Sequence, residues 1–96
     1  MKESFIYIVS NKNRTVLYVG VTSNLIKRIE SHKKGTGSVF TKRYSANQLM
    51  YFELFSDINL AIKREKQLKN WHSKWKWNLI KENNPELLDL YEDLRL

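Results

Sequence analysis

Two short apolar segments near the start of the chain, residues 4–9 (SFIYIV) and 15–21 (TVLYVGV), constrain the fold more than any other feature. Both are rich in β-branched and aromatic residues, and the NKNR between them has the composition of a turn, so they predict a β-hairpin. A four-residue loop over 11–14 would place Tyr7 directly opposite Tyr18, with the two phenols on one face and within hydrogen-bonding reach. The same register sets Phe5 opposite Gly20, whose bare backbone the ring would cover.

The rest of the chain alternates helical and extended patterns without repeats or low-complexity linkers. The predicted elements are a helix capped by Thr22 or Ser23, a basic loop over 35–47, a strand over 48–55, a helix from Asp57 to about Trp71, and a helix from Ser73 to about Asn83. Pro85 stops that last helix or opens a short final one. We therefore expect a single α+β domain over 1–96, a three-stranded antiparallel sheet flanked by helices in the order β-β-α-β-α-α.

Charge is distributed unevenly along the 96 residues, whose net charge is +7. Residues 1–81 hold 16 Lys and Arg against 5 Asp and Glu, whereas residues 82–96 hold 1 against 5. A basic body indicates a polyanionic partner, nucleic acid first, and the acidic end is most simply a capping segment. The chain has no cysteine, which excludes thiol catalysis and zinc–thiolate sites. With no signal-peptide pattern and no apolar run near the ~20 residues of a membrane span, we expect a cytoplasmic protein without membrane contact.

One acidic residue interrupts an apolar helical stripe. In the helix that begins at Asp57, Ala61, Ile62 and Leu68 recur at helical spacing, and Glu65 falls inside the same stripe. A carboxylate on an apolar face should be paired or bound to a cation. Two interpretations remain open at this point: a buried salt bridge, with Arg28 as one candidate partner, or a metal ligand.

The first helix carries two further chemically useful side chains on the edge that meets the sheet. Arg28 and His32 are one turn apart, three and seven residues after Leu25. Arginine suits phosphate binding, and histidine serves as acid, base or hydrogen-bond partner near neutral pH. With Tyr7, Tyr18 and Glu65 they form a set more typical of phosphodiester cleavage than of a purely structural role.

The order of these motifs resembles the GIY-YIG nuclease domain, in its small stand-alone bacterial form. The similar segments are FIY at 5–7, YVG at 18–20, NLIKRIESH at 24–32 and AIKREKQLKNW at 61–71. The resemblance implies that Tyr7, Tyr18, Arg28, His32 and Glu65 are catalytic, with Glu65 the metal ligand. Phe5 replaces the first glycine of the motif, and Val21 stands where excision-repair relatives have lysine. Asn84, or alternatively Asn78, would be the late asparagine.

The resemblance implies metal-dependent hydrolysis of phosphodiester bonds, with one Mg²⁺ or Mn²⁺ held by Glu65 and waters. DNA is favoured over RNA as the partner, single-stranded and branched forms are both open, and the protein would be a monomer or a weak homodimer. Either Tyr7 or His32 would take the proton from water. The expected substrate contacts are Gly20, Lys33, Lys34, Thr41, Lys42, Arg43, Tyr44, Lys69 and Asn84. The alternative is a nucleic-acid-binding module that cleaves weakly or not at all. For the tryptophans at 71, 75 and 77, core packing is favoured over base stacking in at least two.

Overall fold

Strand β1, which supplies Tyr7, is the central strand of the sheet. The computed structural model describes residues 3–95, and its sheet is antiparallel in the order β2-β1-β3. The elements are β1 (Ser4–Ser10), β2 (Leu17–Thr22), α1 (Leu25–Lys33), α2 (Val39–Arg43), β3 (Gln48–Phe55), α3 (Ile58–Asn70), α4 (Ser73–Asn83) and α5 (Tyr91–Leu94). The expected α+β architecture is confirmed. Helix α2 is an addition to the predicted order, and α5 is a short final helix of the kind left open for the segment after Pro85.

The predicted hairpin register is wrong by two residues. Tyr7 is paired with Gly20, and Tyr18 with Val9. The cause lies in Asn11, whose side-chain oxygen accepts hydrogen bonds from the backbone N–H groups of Thr15 and Val16, at 2.8 and 3.1 Å. These bonds keep both residues in the loop, which therefore spans 11–16. Because side chains alternate faces with a period of two, an even shift leaves both tyrosines on one face. Their ring centroids are 6.5 Å apart.

The two faces of the sheet bury different helices. One face presents Ile6 and Ile8 to a cluster that includes Leu68 of α3 and Ile80 of α4. The opposite face presents Tyr7 and Val9 to a second cluster, which includes Leu25 and Ile29 of α1. Helix α1 therefore covers Tyr7 on one face of β1, while α3 and α4 cover the other face of the strand.

Capping side chains fix the starts of α1, α2 and α3. Asn24, rather than Thr22 or Ser23, caps α1, and its side chain accepts a hydrogen bond from Lys27 N. Asp57 caps α3 as predicted, and α4 begins at Ser73 as predicted. The segment expected to be a loop contains α2, which Ser38 caps by accepting a hydrogen bond from Thr41 N at 3.1 Å.

Residues after α4 return to the sheet and cover part of the outer edge of β3. Leu90 N donates to the carbonyl of Leu49 at 2.8 Å, and Leu49 N donates to the carboxylate of Asp89 at 3.0 Å. Asp89 also pairs with Lys33 of α1 at 2.6 Å. The acidic end of the chain is therefore bound to the basic body.

Trp71 and Trp77 pack against the core, whereas Trp75 is 54% exposed. This confirms core packing for two of the three tryptophans. Within residues 3–95, none of the helices combines the length and the apolar character that a bilayer crossing demands.

Candidate active site

Tyr7 is the buried centre of the candidate site, with only 1% of its surface exposed. Its hydroxyl oxygen lies 2.8 Å from Nε2 of His32, so β1 and α1 are joined by a hydrogen bond in the core. The ring lies against Gly20 on β2, where an added Cβ would overlap the hydroxyl and the adjoining ring carbon. The glycine is therefore covered by an aromatic ring, but by that of Tyr7 rather than that of Phe5. The last position of the YVG segment needs a residue without a side chain because Tyr7 occupies that space.

His32 is held from both ring nitrogens and from one ring face. Nε2 contacts Tyr7, and Nδ1 lies 2.9 Å from Oγ1 of Thr41. The backbone of Gly37 lies so close to the imidazole that an added Cβ would overlap Nδ1. Only 2% of His32 is exposed. Burial, together with the charge of Arg28, lowers the pKa of His32 to about 4, so the ring is neutral near pH 7.

Thr41 supports His32 from within the core, a role that its sequence context does not predict. It was expected to contact substrate, but it is 1% exposed and its hydroxyl contacts the side chain of His32. Ser38 fixes it in place: their hydroxyl oxygens are 2.8 Å apart, and Ser38 Oγ accepts a hydrogen bond from Thr41 N. The signal in the sequence was the spacing of Ser38 and Thr41 directly after Gly37, an N-cap pattern that predicts a helix start.

Arg28 brings a positive charge to the rim of this buried pair. It is exposed on α1, one turn before His32. Its charge lowers the pKa of Tyr7, although burial and Tyr18 act more strongly and leave that pKa well above its ordinary value. Among the ion pairs of residues 3–95, none involves Arg28. An arginine without a carboxylate partner beside a buried tyrosine is a ready site for an anion such as phosphate.

Glu65 approaches the same region from α3, and its charge contributes to the raised pKa of Tyr7. Its side chain is 15% exposed and pairs with Lys69 one turn later, at 3.5 Å. The partner of the Glu65 carboxylate is thus Lys69, and not Arg28, which was the candidate partner for a buried salt bridge. Lys69 Nζ also lies 5.9 Å from the centroid of the Tyr18 ring, which places this turn of α3 beside the tyrosine pair.

Glu65 is the acidic group available to a metal in this region. Residues 3–95 contain no cluster of three or more His, Cys, Asp and Glu side chains suited to an ion. A single carboxylate is compatible with Mg²⁺ or Mn²⁺, hard ions that prefer oxygen ligands and usually keep several waters, and is too few for a site built only from protein ligands.

Comparison with known proteins agrees with this geometry. A sequence model described as the GIY-YIG catalytic domain matches residues 3–78. The chain belongs to the GIY-YIG family. Members of this superfamily are endonucleases, so the GIY-YIG domain implies a nucleic-acid substrate here. Its two name-giving motifs are FIY at 5–7 and YVG at 18–20 in this chain.

Several small bacterial proteins are similar to this GIY-YIG chain over most of their length. UPF0213 protein SH2523 of Staphylococcus haemolyticus is 35% identical over 82 residues, which are 85% of this chain and 99% of the relative. A UPF0213 protein of Pediococcus pentosaceus is 37% identical over 90% of each chain, and one of Syntrophus aciditrophicus is 33% identical over 86% of this chain and 95% of the relative. No solved structure matches. The names of these relatives state no reaction, so the activity must be argued from the site.

A row of aromatic rings extends from Tyr18, which is half-buried, to exposed rings on and just after α2. We call Tyr18, Phe40 and Tyr44 the aromatic row. The ring of Phe40 stacks on that of Tyr18 with centroids 5.8 Å apart, and Tyr44 lies 4.8 Å from Phe40. Phe40 and Tyr44 are 39% and 42% exposed, and the guanidinium of Arg43 lies 5.5 Å from the Tyr44 ring.

Among the other residues predicted to contact substrate, some have exposed side chains and some have side chains that already bond within the protein. Lys34, Lys42 and Arg43 are exposed around α2 and the end of α1. Lys33 instead donates to the carbonyl of Asn47 and pairs with Asp89. Asn84 is 5% exposed, and its side-chain nitrogen donates to the carbonyls of Met50 and Leu88. Both of these side chains are occupied by the protein's own C-terminal segment.

Proposed function

We propose that this protein is a divalent-metal-dependent endonuclease that hydrolyses phosphodiester bonds in DNA, acting on single-stranded or branched forms. The observation that carries the proposal is the buried hydrogen bond between Tyr7 and His32, with an arginine beside it that has no carboxylate partner. Hydrolysis of an anionic ester requires a base for the attacking water and a positive charge beside the phosphate. The Tyr7–His32 pair can supply the first, and Arg28 the second.

Arg28 binds and orients the scissile phosphate. Its exposed guanidinium can donate two parallel hydrogen bonds to phosphate oxygens. The buried ring of Tyr7 beside Arg28 disfavours a protein carboxylate at this position. The guanidinium is therefore left for a phosphate of the substrate. Positive charge at this point also offsets the negative charge that grows on the phosphoryl oxygens during attack.

Tyr7 and His32 accept the proton of the attacking water. The hydroxyl of Tyr7 is bonded to the neutral imidazole, so a proton taken up at this pair is shared between two groups. Tyr18 packs against both rings, with centroids 6.5 Å from Tyr7 and 5.8 Å from His32, and holds them in position.

Glu65 is the residue that would hold the metal, after Lys69 has turned away from it. A bound Mg²⁺ or Mn²⁺ would supply Lewis-acid stabilisation of charge on the leaving 3′-oxygen. Lys69 is 49% exposed on its side chain, so it is free to move to a phosphate of the substrate.

The aromatic row supports a substrate with unpaired bases near the scissile phosphate. Its two exposed rings, Phe40 and Tyr44, offer flat surfaces on which bases can stack, and stacking of this kind contributes about 1–3 kcal/mol per base. Bases within an intact duplex are stacked on each other and are not open to such contacts. The net charge of +7 adds affinity for the backbone that falls steeply with salt.

The decisive experiment is cleavage of end-labelled single-stranded, duplex and branched DNA, and of RNA, with Mg²⁺, Mn²⁺ or EDTA. We expect metal-dependent cutting by the wild type and its loss in Glu65→Gln, which keeps the shape of the side chain. Glu82→Gln removes an exposed carboxylate from α4 and serves as the matched control. Cutting in EDTA, or full activity of Glu65→Gln, would contradict the metal role. Salt-sensitive binding without cutting under any condition would favour the binding-module alternative.

A further inference from the structure

The hydrogen bonds around His32 form a continuous chain from β1 through α1 to α2. The chain runs from the Tyr7 hydroxyl to Nε2 of His32 at 2.8 Å, from Nδ1 to the Thr41 hydroxyl at 2.9 Å, and from that hydroxyl to the carbonyl of Ser38 at 3.3 Å. Neutral histidine has one N–H and one lone pair, so the two ends of the chain decide which nitrogen carries the proton.

The Tyr7 end of the chain needs an acceptor. Its raised pKa keeps the hydroxyl protonated, and the side chain is 1% exposed, so in the free protein a neighbouring side chain must accept this proton. Among the hydrogen bonds of residues 3–95, the side-chain partner of that hydroxyl is Nε2 of His32. Were Nε2 to carry a proton, it would face the hydroxyl as a second donor and leave the Tyr7 proton without an acceptor in the core, which is unfavourable.

The Thr41 end of the chain needs a donor. The Ser38 carbonyl only accepts hydrogen bonds, so the Thr41 hydroxyl gives its proton to that oxygen. The lone pairs of Thr41 Oγ1 are then directed to its other neighbours, Nδ1 of His32 and the hydroxyl of Ser38. All donors along the chain are satisfied when the imidazole proton is on Nδ1.

We infer that Thr41 is a positioning residue that fixes His32 in the Nδ1–H form and so leaves Nε2 free to receive the hydroxyl proton of Tyr7. The consequence for catalysis rests on the proposed function. The attacking water gives a proton to the Tyr7 oxygen while the Tyr7 proton moves to Nε2, so His32 becomes the imidazolium and Tyr7 stays neutral. The hydroxide formed attacks phosphorus and the bond to the 3′-oxygen breaks. The leaving 3′-oxygen takes a proton from solvent, and the imidazolium of His32 releases its proton back through Tyr7 to solvent, so the sum of the steps is the addition of one water. His32 is then the final base, and Tyr7 relays the proton.

Gly37 supports this arrangement by closing the third side of the ring. An added Cβ at this position would overlap Nδ1, Cε1 and Cγ of His32, and the backbone of Gly37 is not in the left-handed region. The glycine is therefore required for contact with the imidazole and not for its own conformation. Gly37→Ala should push the ring away from Thr41 without any change at Thr41 itself.

The direct test is ¹⁵N NMR of the histidine rings in the full chain at pH 7, without metal or nucleic acid. For His32 we expect Nδ1 to show the shift of a protonated, pyrrole-type nitrogen and Nε2 that of a pyridine-type nitrogen. His72 is exposed and provides an internal reference in the same spectrum. A protonated Nε2 in the wild type would overturn the inference.

Variants at Thr41 separate a positioning role from a structural one. Thr41→Val keeps the shape of the side chain but cannot accept the Nδ1 proton, so the Nδ1–H signature should be lost or mixed and kcat should fall roughly 10- to 100-fold. Thr41→Ser should restore both. Thr36→Val, which removes an exposed hydroxyl bonded to the Ser31 carbonyl, is the matched control and should change neither.

Two outcomes distinguish this inference from the proposed function. An unchanged His32 signature in both Thr41→Val and Gly37→Ala would overturn the positioning role, whatever the activity. If the signature behaves as expected and the wild type cuts no substrate, the tautomer assignment stands and the nuclease proposal fails. Should Thr41→Val not fold, Gly37→Ala and the wild-type spectrum still decide the question.

Discussion

Tyr7 on the central strand and His32 on the first helix meet through a 2.8 Å hydrogen bond that is buried from both sides. Polar groups are normally placed in a core only when they are fully bonded, and this pair meets that condition through Thr41. The site is therefore built into the main core on this face of the sheet, so its chemistry and its stability share the same side chains.

Replacement of Tyr7 by phenylalanine should remove cleavage while preserving the fold. The ring and its contact with Gly20 remain, but the hydroxyl that relays the proton is lost, so we expect kcat to fall by about 10²–10⁴-fold. The matched control is Tyr51→Phe, a buried tyrosine whose hydroxyl donates to Glu53 on the opposite face. That variant should lose about 1 kcal/mol of stability and keep its activity. Wild-type cleavage by Tyr7→Phe would exclude tyrosine from the proton path.

Arg28→Ala should reduce cleavage strongly with little change in stability, because the side chain is exposed. The same substitution should raise the pKa of His32, since the charge of Arg28 is one cause of its low value. Burial is the larger cause, so the pKa should stay below its ordinary value. NMR titration of the His32 ring measures this, and Lys27→Ala on the same helix controls for a general loss of charge. A His32 pKa that stays constant in Arg28→Ala would show that the two groups are not coupled.

The free energy of unfolding should fall as the pH drops from about 6.5 to about 4. In that window the unfolded chain protonates His32 while the folded protein, with a pKa of about 4, does not. The unfolded state therefore binds more protons, and the full effect is roughly 3 kcal/mol. Urea denaturation at several pH values should show this slope in the wild type and in His72→Gln, but a much smaller slope in His32→Gln. Equal slopes in all three proteins would contradict a buried, neutral His32.

Two glycine substitutions should separate site geometry from backbone strain. Gly20→Ala places a Cβ into the ring of Tyr7, so we expect a loss of about 1–3 kcal/mol together with a loss of cleavage by the folded fraction. Gly35 has φ +78°, and an added Cβ would meet only Lys42 Cγ at 3.7 Å. Gly35→Ala should therefore lower the free energy of unfolding, because alanine is strained at this positive φ. The cleavage rate of the folded fraction should stay unchanged. Denaturation curves and cleavage rates on the same samples test both statements.

Tyr44→Ala should weaken binding of single-stranded DNA by about 10- to 100-fold if one base stacks on this ring. Val39→Ala removes an 86% exposed side chain from α2, the helix that Tyr44 follows directly, and should leave affinity unchanged. Binding is measured with Glu65→Gln in the background, so that cleavage does not interfere. Equal affinities of the two variants would remove the aromatic row from the substrate interface.

Much of the fold followed from local patterns, and the exceptions have identifiable causes. The three strands and the start of α3 at its Asp57 cap are strong signals over several residues each. The hairpin register failed because one side chain, that of Asn11, bonds to Thr15 and Val16 and lengthens the loop. Composition does not reveal a tertiary choice of this kind. Helix α2 was missed because five residues are too short to show a periodic apolar stripe.

The residues of the candidate site could be named from the sequence as a hypothesis, but their contacts with one another could not. Glu65 stood out because it interrupts an apolar stripe, Tyr7 because a second tyrosine lies on the neighbouring strand, and His32 because it follows Arg28 by one helical turn. Thr41 and Gly37 did not stand out, because their importance depends on contact with a histidine in another helix. Conversely, Lys33 and Asn84 were plausible ligands by residue type, yet the C-terminal segment bonds to both.

The return of the C-terminal segment to β3 has a consequence for how the protein behaves among its own copies. Leu49 would otherwise present a bare N–H and C=O at the sheet margin, where a strand from a neighbouring molecule can pair. Asp89 and Leu90 occupy those groups and end the ladder within the molecule. The segment just before α5 thus limits edge-to-edge pairing between copies, and a version truncated before Asp89 would expose this part of β3 even with its candidate site residues intact.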